Sequence, residues 1–358
     1  MTARAEFVSQ GALTQAASEW ADLCARGEPN PFAEPGFLLP LLGYERPRRL
    51  AFALIRGDGG RLIGFAALIL PRVGLARVWM SAYAALPAAV LDREAAPEAL
   101  AALCALLATS RLAGLVWPMV EPGGAYVAAA RALSSQGAGS TRRAALRLAG
   151  PAAFDASLNP KRRTKWARQL RKLAALGKLD EVTGAQAVAA FFEVERKGWK
   201  GERRSALADD PARLAFAQAA LDAFDRAGRL DALALRLDGA PIAAGLVLIA
   251  GDRAFYWKTA YDEAYAETSP GVQLTLAHSR RLAATPGLAL VDSCAVEDHP
   301  MIGRIWGDAL EFEDIALPLR PGGERVRKLW LALRRMRRVA RDRLKRWVNR
   351  ALGRKDRA

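Results

Sequence analysis

The chain has 358 residues, of which 52% are hydrophobic, so it is long enough for about two domains and too apolar for a disordered protein. Its net charge of +16 is unevenly spread. Residues 320–358 hold 16 of the 53 Lys and Arg but only 3 of the 37 Asp and Glu, which leaves +3 for the rest of the chain. The high pI is therefore no reason to expect that the body of the protein binds nucleic acid.

The sequence has too few cysteines and histidines for a disulfide-rich protein or a histidine-rich metal protein. The three cysteines, at positions 24, 104 and 294, lie far apart, which argues against a disulfide framework and favours a reducing cytoplasm. Two histidines, His278 and His299, exclude a histidine-rich centre, so no metal is expected. The N-terminus has no apolar signal core, and apolar runs such as residues 99–110 are well short of the ~20 residues that span a bilayer. We expect a soluble or peripheral cytoplasmic protein.

The first 150 residues predict a mixture of helices and strands. Apolar residues at helical spacing predict a helix over residues 12–26 and a short one over 36–44. Strands are predicted at 50–56, 61–70, 76–80 and 114–120, and a helix at 96–110. A helix or loop over 131–147 then leads into the last strand of this half.

The second half begins with a strongly basic helix. Asn159 and Pro160 start it and Gly177 ends it. Its basic residues are Lys161, Arg162, Arg163, Lys165, Arg168, Arg171 and Lys172. Further helices are predicted at 185–199 and 209–227, and strands at 230–237, 242–250, 254–257, 288–293 and 310–317.

One pattern occurs in both halves. Residues 51–70 and 232–250 each read as a strand, a glycine-containing turn and a glycine-bearing apolar strand, about 180 residues apart. This repetition predicts a duplicated structural unit.

Residues 254–282 organise the second half. An aromatic strand at 254–257 is followed by a loop and by a helix that begins at Ser269-Pro270-Gly271. Ser269 suits an N-cap, Pro270 suits the first helical position, and Gly271 leaves the first turn without a side chain. The free N–H groups and the dipole of such a helix start favour a phosphate group.

Residues 324–352 predict one long basic helix. Trp, Leu and Val form an apolar stripe, and arginines fill most of the remaining surface. This composition is typical of a helix that lies on an anionic membrane surface. A terminal helix packed on the body is the competing interpretation, and nucleic acid is the least favoured partner.

The order strand, loop, Ser-Pro-Gly, helix resembles the acyl-CoA site of the GNAT acetyltransferase superfamily, and more closely that of its bacterial CelD-type and Fem-related branch. The superfamily signature before the helix, Arg/Gln-x-x-Gly-x-Gly/Ala, is replaced here by the sequence from Glu267 to Gln273. The resemblance implies an α/β fold of two tandem GNAT-like domains, each a mixed, mostly antiparallel sheet flanked by helices. We place them at residues 1–150 and 151–320, with the basic amphipathic helix at 324–358. The first copy has no Ser-Pro-Gly helix start, so we expect it to be degenerate for cofactor binding.

The resemblance also implies a cofactor and residues that bind it. The expected co-substrate is acetyl-CoA or another acyl-CoA. The helix start is the expected binding segment: Ser269, Pro270, Gly271, Val272, Gln273 and Leu274.

Candidate catalytic residues follow the strand at 288–293. Transfer of an acyl group needs a base that takes a proton from the attacking amine or hydroxyl. In related proteins a Tyr-Asp-Phe…Gly-Asp…Tyr-Lys…Trp stretch occupies this place, which Asp292 and Trp306 match here. Asp292 is the preferred base, with Glu297 and His299 as the other candidates.

Candidate acceptor-binding residues come from several segments. Trp199 and Lys200 match a Gly-Trp-Lys segment of the same family, and Glu195 lies one turn upstream. Lys258 and Tyr261 leave the strand beside the cofactor helix, and Trp306 matches the family stretch.

These expectations predict an acyl-CoA-dependent N- or O-acyltransferase. Its acceptor would be related to the cell envelope, such as a sugar, an amino sugar or a lipid-linked precursor, presented at the inner face of the membrane. Two alternatives remain open: a Fem-type transferase that uses aminoacyl-tRNA, and a non-catalytic binding or scaffold protein.

Overall fold

The computed structural model describes residues 3–133, 135–197, 206–297 and 299–320, with isolated positions between 328 and 336. Its helices are α1 (Gln10–Gln15), α2 (Ala17–Arg26), α3 (Pro35–Tyr44), α4 (Ala96–Ala108), α5 (Ala125–Ala132), α6 (Pro151–Ser157), α7 (Pro160–Ala174), α8 (Gly184–Lys197), α9 (Pro211–Arg226) and α10 (Pro270–Ala283). Its strands are β1 (Arg4–Val8), β2 (Leu50–Arg56), β3 (Leu62–Ile69), β4 (Gly74–Val78), β5 (Ala89–Leu91), β6 (Leu112–Val120), β7 (Gln136–Arg147), β8 (Leu179–Thr183), β9 (Leu230–Leu237), β10 (Ala240–Ala250), β11 (Arg253–Tyr261), β12 (Leu290–Asp292) and β13 (Asp308–Pro318).

Proline marks the start of several helices in the second half. Pro160, Pro211 and Pro270 each occupy the first helical position, where the missing N–H has no partner to lose. Asn159 accepts from Arg162 N at 3.3 Å, and Asp210 accepts from the first amides of α9. These local signals explain why the helix starts are readable from sequence.

The described strands form one continuous sheet. Its order is β1-β2-β3-β4-β6-β13-β7-β12-β11-β10-β9-β8, with β5 paired to β3. Three antiparallel strands followed by a parallel pair occur twice, as β2-β3-β4 with β6 and as β9-β10-β11 with β12. The tandem repeat predicted from residues 51–70 and 232–250 is therefore present in the topology.

The two halves exchange their last strands. β7, at the end of the first half, pairs with β12 of the second, and β13, at the end of the second half, pairs with β6 of the first. β7 and β13 also pair with each other along most of their length. The boundary near residue 150 stays a prediction, since this exchange makes each half depend on a strand of the other.

The halves also share a hydrophobic core. Phe37 of α3 lies 5.5 Å, centroid to centroid, from both Phe216 of α9 and Trp257 of β11. At the edge of this core, Glu34 accepts two hydrogen bonds from Arg229, at 2.6 and 2.8 Å. The contact between the halves is thus apolar inside and ion-paired at its rim.

Several elements differ from the sequence predictions. The helix predicted over residues 12–26 is two helices, because the chain turns at Ala16. The segment 131–147 is mostly the long strand β7, whose Gly-, Ser- and Arg-rich sequence carries no strand signal of its own. It is extended because β12 and β13 supply its hydrogen-bond partners. The predicted helix at 324–352 lies almost wholly outside the described residues.

Within the described ranges, no helix is both long enough and apolar enough to cross a bilayer. The same residues contain no group of three or more His, Cys, Asp or Glu side chains placed to hold a metal ion.

Candidate active site

An opening forms where β11 and β12 separate. The two strands are parallel neighbours for only three residue pairs, from Arg253–Leu290 to Phe255–Asp292. β11 continues for six more residues to Tyr261, while β12 ends at Asp292. The chain that leaves β11 then starts α10, so the opening lies beside the N-terminus of that helix.

The helix start differs from the expected cap. Ser269 is the N-cap of α10, but its backbone is left-handed (φ 54°, ψ 56°) and its side chain makes no capping hydrogen bond. Instead, Ser269 Oγ accepts from Gln169 Nε2 of α7 at 2.8 Å. The amides of Val272 and Gln273 both donate to Ser269 O. Since Pro270 has no N–H, Gly271 carries the first-turn amide that is left for a ligand.

Gly271 is buried in the first turn of α10, against Tyr261 and Met301. A Cβ at this position would lie 3.1 Å from Tyr261 Cδ1 and 3.6 Å from Met301 Sδ. A larger side chain would therefore have to displace the Tyr261 ring. The role of Gly271 in cofactor binding stays a prediction.

Three of the predicted cofactor-binding side chains face the protein instead. Gln273 is buried and its Nε2 donates to Trp166 O at 3.0 Å, which ties α10 to α7. Leu274 is fully buried, and Val272 packs against the core cluster beside Trp306. The prediction that these three side chains contact a cofactor is therefore corrected.

The basic helix α7 runs past the N-terminus of α10. Gln169, the residue that binds Ser269 Oγ, also donates to Glu267 O at 3.3 Å. Lys165 and Lys172 lie four residues before and three residues after Gln169, on the same face of the helix. Both are exposed, so positive charge flanks the helix start.

Asp292, the preferred base, is not accessible. It is 1% exposed and forms a buried ion pair with Arg143 of β7. Its Oδ1 also accepts from Cys294 N at 2.9 Å. Burial raises the pKa of Asp292, and the neighbouring Arg143 opposes that rise. Because both oxygens are occupied and shielded, the role of Asp292 as base is corrected to a structural one.

The other two candidate bases differ in exposure. Nδ1 of His299 accepts from the amides of Met301 and Ile302, at 3.3 and 3.4 Å. Burial lowers the pKa of His299, so at neutral pH the ring is uncharged with its proton on Nε2. His299 can then donate a hydrogen bond but has no open acceptor nitrogen, which contradicts its role as base. Glu297 is exposed on the turn after β12, and its role stays a prediction.

Some of the predicted acceptor-binding residues are buried, and others lie at the opening. Glu195 is buried and accepts from Leu207 N at 2.8 Å. Trp306 is also buried, and its Nε1 donates to Ser279 Oγ at 2.9 Å. Both are corrected to structural roles because neither reaches the opening. Lys258 and Tyr261 do lie at the opening, on the part of β11 beyond its last pair with β12. Trp199 and Lys200 lie outside the described residues.

Sequence reasoning missed a segment of the first half that crosses the opening. We call residues 79–88 the bridging segment. Trp257 Nε1 of β11 donates to Tyr83 O at 2.8 Å, and Arg143, the partner of Asp292, donates to Ala85 O at 2.9 Å. The segment is thus attached to β11 directly and, through Arg143 of β7, which pairs with Asp292, to the end of β12. Trp257 reaches it because β11 bulges there, with Leu246 opposite Lys258 and Val247 opposite Tyr256.

Comparison with family models identifies the second half. Residues 160–299 match the model of the Acetyltransferase (GNAT) domain, which covers α7 to the turn after β12. Residues 160–299 therefore form a domain of the GNAT acetyltransferase family. The chain is accordingly an acyltransferase of the GNAT type, as the Ser-Pro-Gly helix start predicted.

Solved structures extend the likeness to both halves of this GNAT protein. FemX aligns over 87% of the chain and 96% of its own length, with 13% identity and a TM-score of 0.54. The C-terminal domain of a protein from Agrobacterium fabrum, assigned as a lysylphosphatidylglycerol synthetase, aligns over 89% and 96%, with 10% identity and a TM-score of 0.53. Comparison with curated protein sequences gives no significant match. At these identities the structural neighbours establish the tandem, Fem-related fold alone.

A cavity also lies at the corresponding position in the first half. Beyond the last pair of β4 and β6, Arg77–Val116, it is bordered by Pro87, Trp117 and Met119. That the first copy does not bind the cofactor stays a prediction.

A buried polar network holds helix α10 in place. His278 of α10 is fully buried, and its Nε2 lies 3.0 Å from Asp231 Oδ1 of β9. Arg281 Nε donates to both oxygens of Asp231, at 3.0 and 2.9 Å. Burial alone would raise the pKa of Asp231, but His278 and Arg281 outweigh it and hold that pKa below its usual value. The network fixes α10 against the sheet and thereby sets the position of Gly271.

A cysteine intermediate does not suit this GNAT site. Cys294 lies beside Asp292, and burial together with that carboxylate raises the pKa of its thiol far above the ordinary value. The reactive thiolate is therefore disfavoured.

Proposed function

We propose that the chain transfers an acyl group from an acyl-CoA, with acetyl-CoA as the first candidate, to an amine or hydroxyl of an acceptor. The acceptor is a sugar, an amino sugar or a lipid-linked precursor of the cell envelope. The observation that carries the donor assignment is the bare start of α10 at Gly271, placed between the opening of β11 and β12 and the basic face of α7.

Charge supports a phosphate-rich donor. A pyrophosphate at the start of α10 would meet the Gly271 amide and the positive end of the helix dipole. Lys165 and Lys172 flank that end through the contact between Gln169 and Ser269. The thioester would then extend along β11 into the opening, towards Lys258.

The acceptor class has weaker support. The Fem-related fold and the resemblance of the sequence to envelope-associated proteins favour it, and one neighbour of the same fold is assigned as a lysylphosphatidylglycerol synthetase. The arginine-rich residues 324–358 fit an acceptor that is presented at an anionic inner membrane surface.

An aminoacyl-tRNA donor is the second candidate. All seven basic side chains of α7 are exposed, which is more positive charge than one cofactor needs. RNA binding through this helix would weaken steeply as salt rises, whereas acyl-CoA binding at the buried helix start would change less.

The deciding experiment is calorimetric titration of acetyl-CoA and of a bulk tRNA preparation into the full-length protein. The test variant is Gly271→Trp, which has to displace the Tyr261 ring, and the control is Gly123→Trp at an exposed turn with nothing within 4 Å. We expect micromolar acetyl-CoA binding that disappears in Gly271→Trp and persists in Gly123→Trp. Binding of tRNA without binding of acetyl-CoA or longer acyl-CoAs would favour the second candidate.

A further inference from the structure

Two phenols and one ammonium group meet where the first half faces the opening. Tyr44 Oη lies 3.4 Å from Tyr83 Oη, and Lys258 Nζ lies 5.6 Å from the centre of the Tyr83 ring. The same Nζ lies 5.7 Å from the centre of the Trp257 ring. Tyr44, Tyr83 and Lys258 are all half-buried, and we call them the Tyr-Lys patch.

The patch is held in place by its surroundings. Tyr83 N donates to Ser81 Oγ at 3.0 Å, and Ser81 in turn donates to Glu45. The buried Phe216 ring lies 5.6 Å from Tyr83 and is stacked on Tyr44 at 6.3 Å. Together with the bond from Trp257 to Tyr83 O, these contacts fix both phenols before any ligand arrives, which lowers the entropy lost on binding.

The phenols keep a hydrogen-bond donor available. One hydroxyl donates to the other, so the proton of the second points away from the pair. The hydrogen bond with Tyr83 and partial burial raise the pKa of Tyr44 to about 12, so Tyr44 is neutral at physiological pH. A cation and a neutral donor side by side favour an anionic ligand over a neutral one.

The patch lies next to the proposed donor site. Lys258 stands on the part of β11 beyond its last pair with β12. It is three residues before Tyr261, so the two side chains point to opposite faces of the strand, with the Tyr261 ring against Gly271. The positive charge of Lys258 also reaches Cys294 just after β12, on the other side of the opening. An acceptor group on the patch would therefore sit across the opening from a thioester that enters beside α10.

We propose that the Tyr-Lys patch binds an anionic group of the acceptor, a phosphate or a carboxylate, close to the attacking amine or hydroxyl. This assignment rests on the proposed acyl transfer. It gives the first half a role in the reaction as one wall of the acceptor site. Tyr44 and Tyr83 are supplied by that half, and only Lys258 comes from the donor-binding half.

The test uses three amino sugars that differ in charge: glucosamine, glucosamine 6-phosphate and muramic acid. Each is titrated into full-length protein saturated with CoA, so that no turnover occurs. We expect an anionic probe to bind at least tenfold more tightly than glucosamine. Preference for the phosphate or for the carboxylate probe tells which anion the patch takes.

Variants then assign the preference to the patch. Lys258→Met and Tyr83→Phe should each weaken the anionic probe by fivefold or more while the affinity for acetyl-CoA stays within twofold. Lys258→Arg should retain the preference, and the exposed Lys178→Met is the matched control. Equal binding of all three sugars, no binding of either anionic probe, or a preference that survives Lys258→Met would overturn the proposal. If the unaltered protein does not bind acetyl-CoA, that result would instead refute the acyl-CoA function, regardless of the affinities for the three sugars.

Discussion

The indole Nε1 of Trp257 donates a hydrogen bond of 2.8 Å to the carbonyl oxygen of Tyr83, 174 residues earlier in the chain. Trp257 is the bulged residue of β11, and Tyr83 belongs to the bridging segment of the first half. This one bond therefore connects the strand of the donor site to the segment that carries a wall of the opening. Several consequences of that arrangement can be measured.

Comparing Trp257→Phe with Trp306→Phe should distinguish a loss of stability from a loss of acceptor binding. Trp257→Phe leaves the Tyr83 carbonyl without its donor, which costs about 1–3 kcal/mol. Trp306→Phe is the control, because it removes a similar buried bond, to Ser279 Oγ, inside the second half. We expect comparable losses of unfolding free energy in urea, but a higher acceptor KM only for Trp257→Phe. Equal KM values in the two variants would contradict the assignment of the bridging segment.

Breaking the Arg143–Asp292 ion pair should lower the free energy of unfolding strongly and change kcat little. Asp292→Asn leaves the Arg143 guanidinium buried without a counter-charge, which destabilises by about 3–5 kcal/mol. The double variant Asp292→Leu/Arg143→Met should recover much of that loss. Since Asp292 is not a base, kcat of folded Asp292→Asn should stay within about tenfold of the original. A fall of about 10²–10⁴ in a folded protein would restore Asp292 as the catalytic base.

The Asp231 network predicts a pH dependence of stability. The pKa of Asp231 is lower in the folded protein than in the unfolded chain, where it is about 3.9. The ionised carboxylate therefore stabilises the fold above the unfolded pKa, and this stabilisation is lost as the pH falls through the folded pKa. Asp231→Asn should therefore destabilise by about 3 kcal/mol at pH 7, and by progressively less as the pH falls below about 4.

A neighbouring surface pair supplies the control for that measurement. Asp155 binds Arg280 at 2.8 Å with both side chains more than 40% exposed, so Asp155→Asn should change stability by at most about 1 kcal/mol. Urea unfolding at pH 7 and at pH 3.5 compares the two variants. A destabilisation by Asp231→Asn that is the same at both pH values would show that the carboxylate charge does not stabilise the fold.

The basic C-terminal residues predict binding to anionic membranes. In full-length protein, reversal of Arg334, Arg335, Arg337 and Arg338 to Glu removes attraction of about 1 kcal/mol for each residue near the surface. Binding to vesicles that contain phosphatidylserine should fall at least a hundredfold, while neutral phosphatidylcholine vesicles should show little binding by either protein. Unchanged sedimentation of the altered protein with anionic vesicles would remove the membrane from the proposal.

Much of the architecture is encoded locally and was readable in the sequence. Three helices of the second half begin at Pro160, Pro211 and Pro270, because proline favours the first position of a helix. The repeated strand-turn-strand pattern predicted the duplication, and the segment from Ser269 to Gly271 predicted the start of α10. These signals work because each depends on residues that are neighbours in the chain.

Other parts of the site exist only through contacts between distant residues. β7 is a strand because β12 and β13 pair with it, and Asp292 is buried because Arg143, 149 residues away, neutralises it. A carboxylate at a strand end looks the same in sequence whether it is a base in a cleft or half of a buried ion pair. The sequence by itself determined the elements, their duplication and the bare helix start. Only the tertiary structure decided which polar side chains reach the opening, because the strand exchange between the halves sets what lies across from each of them.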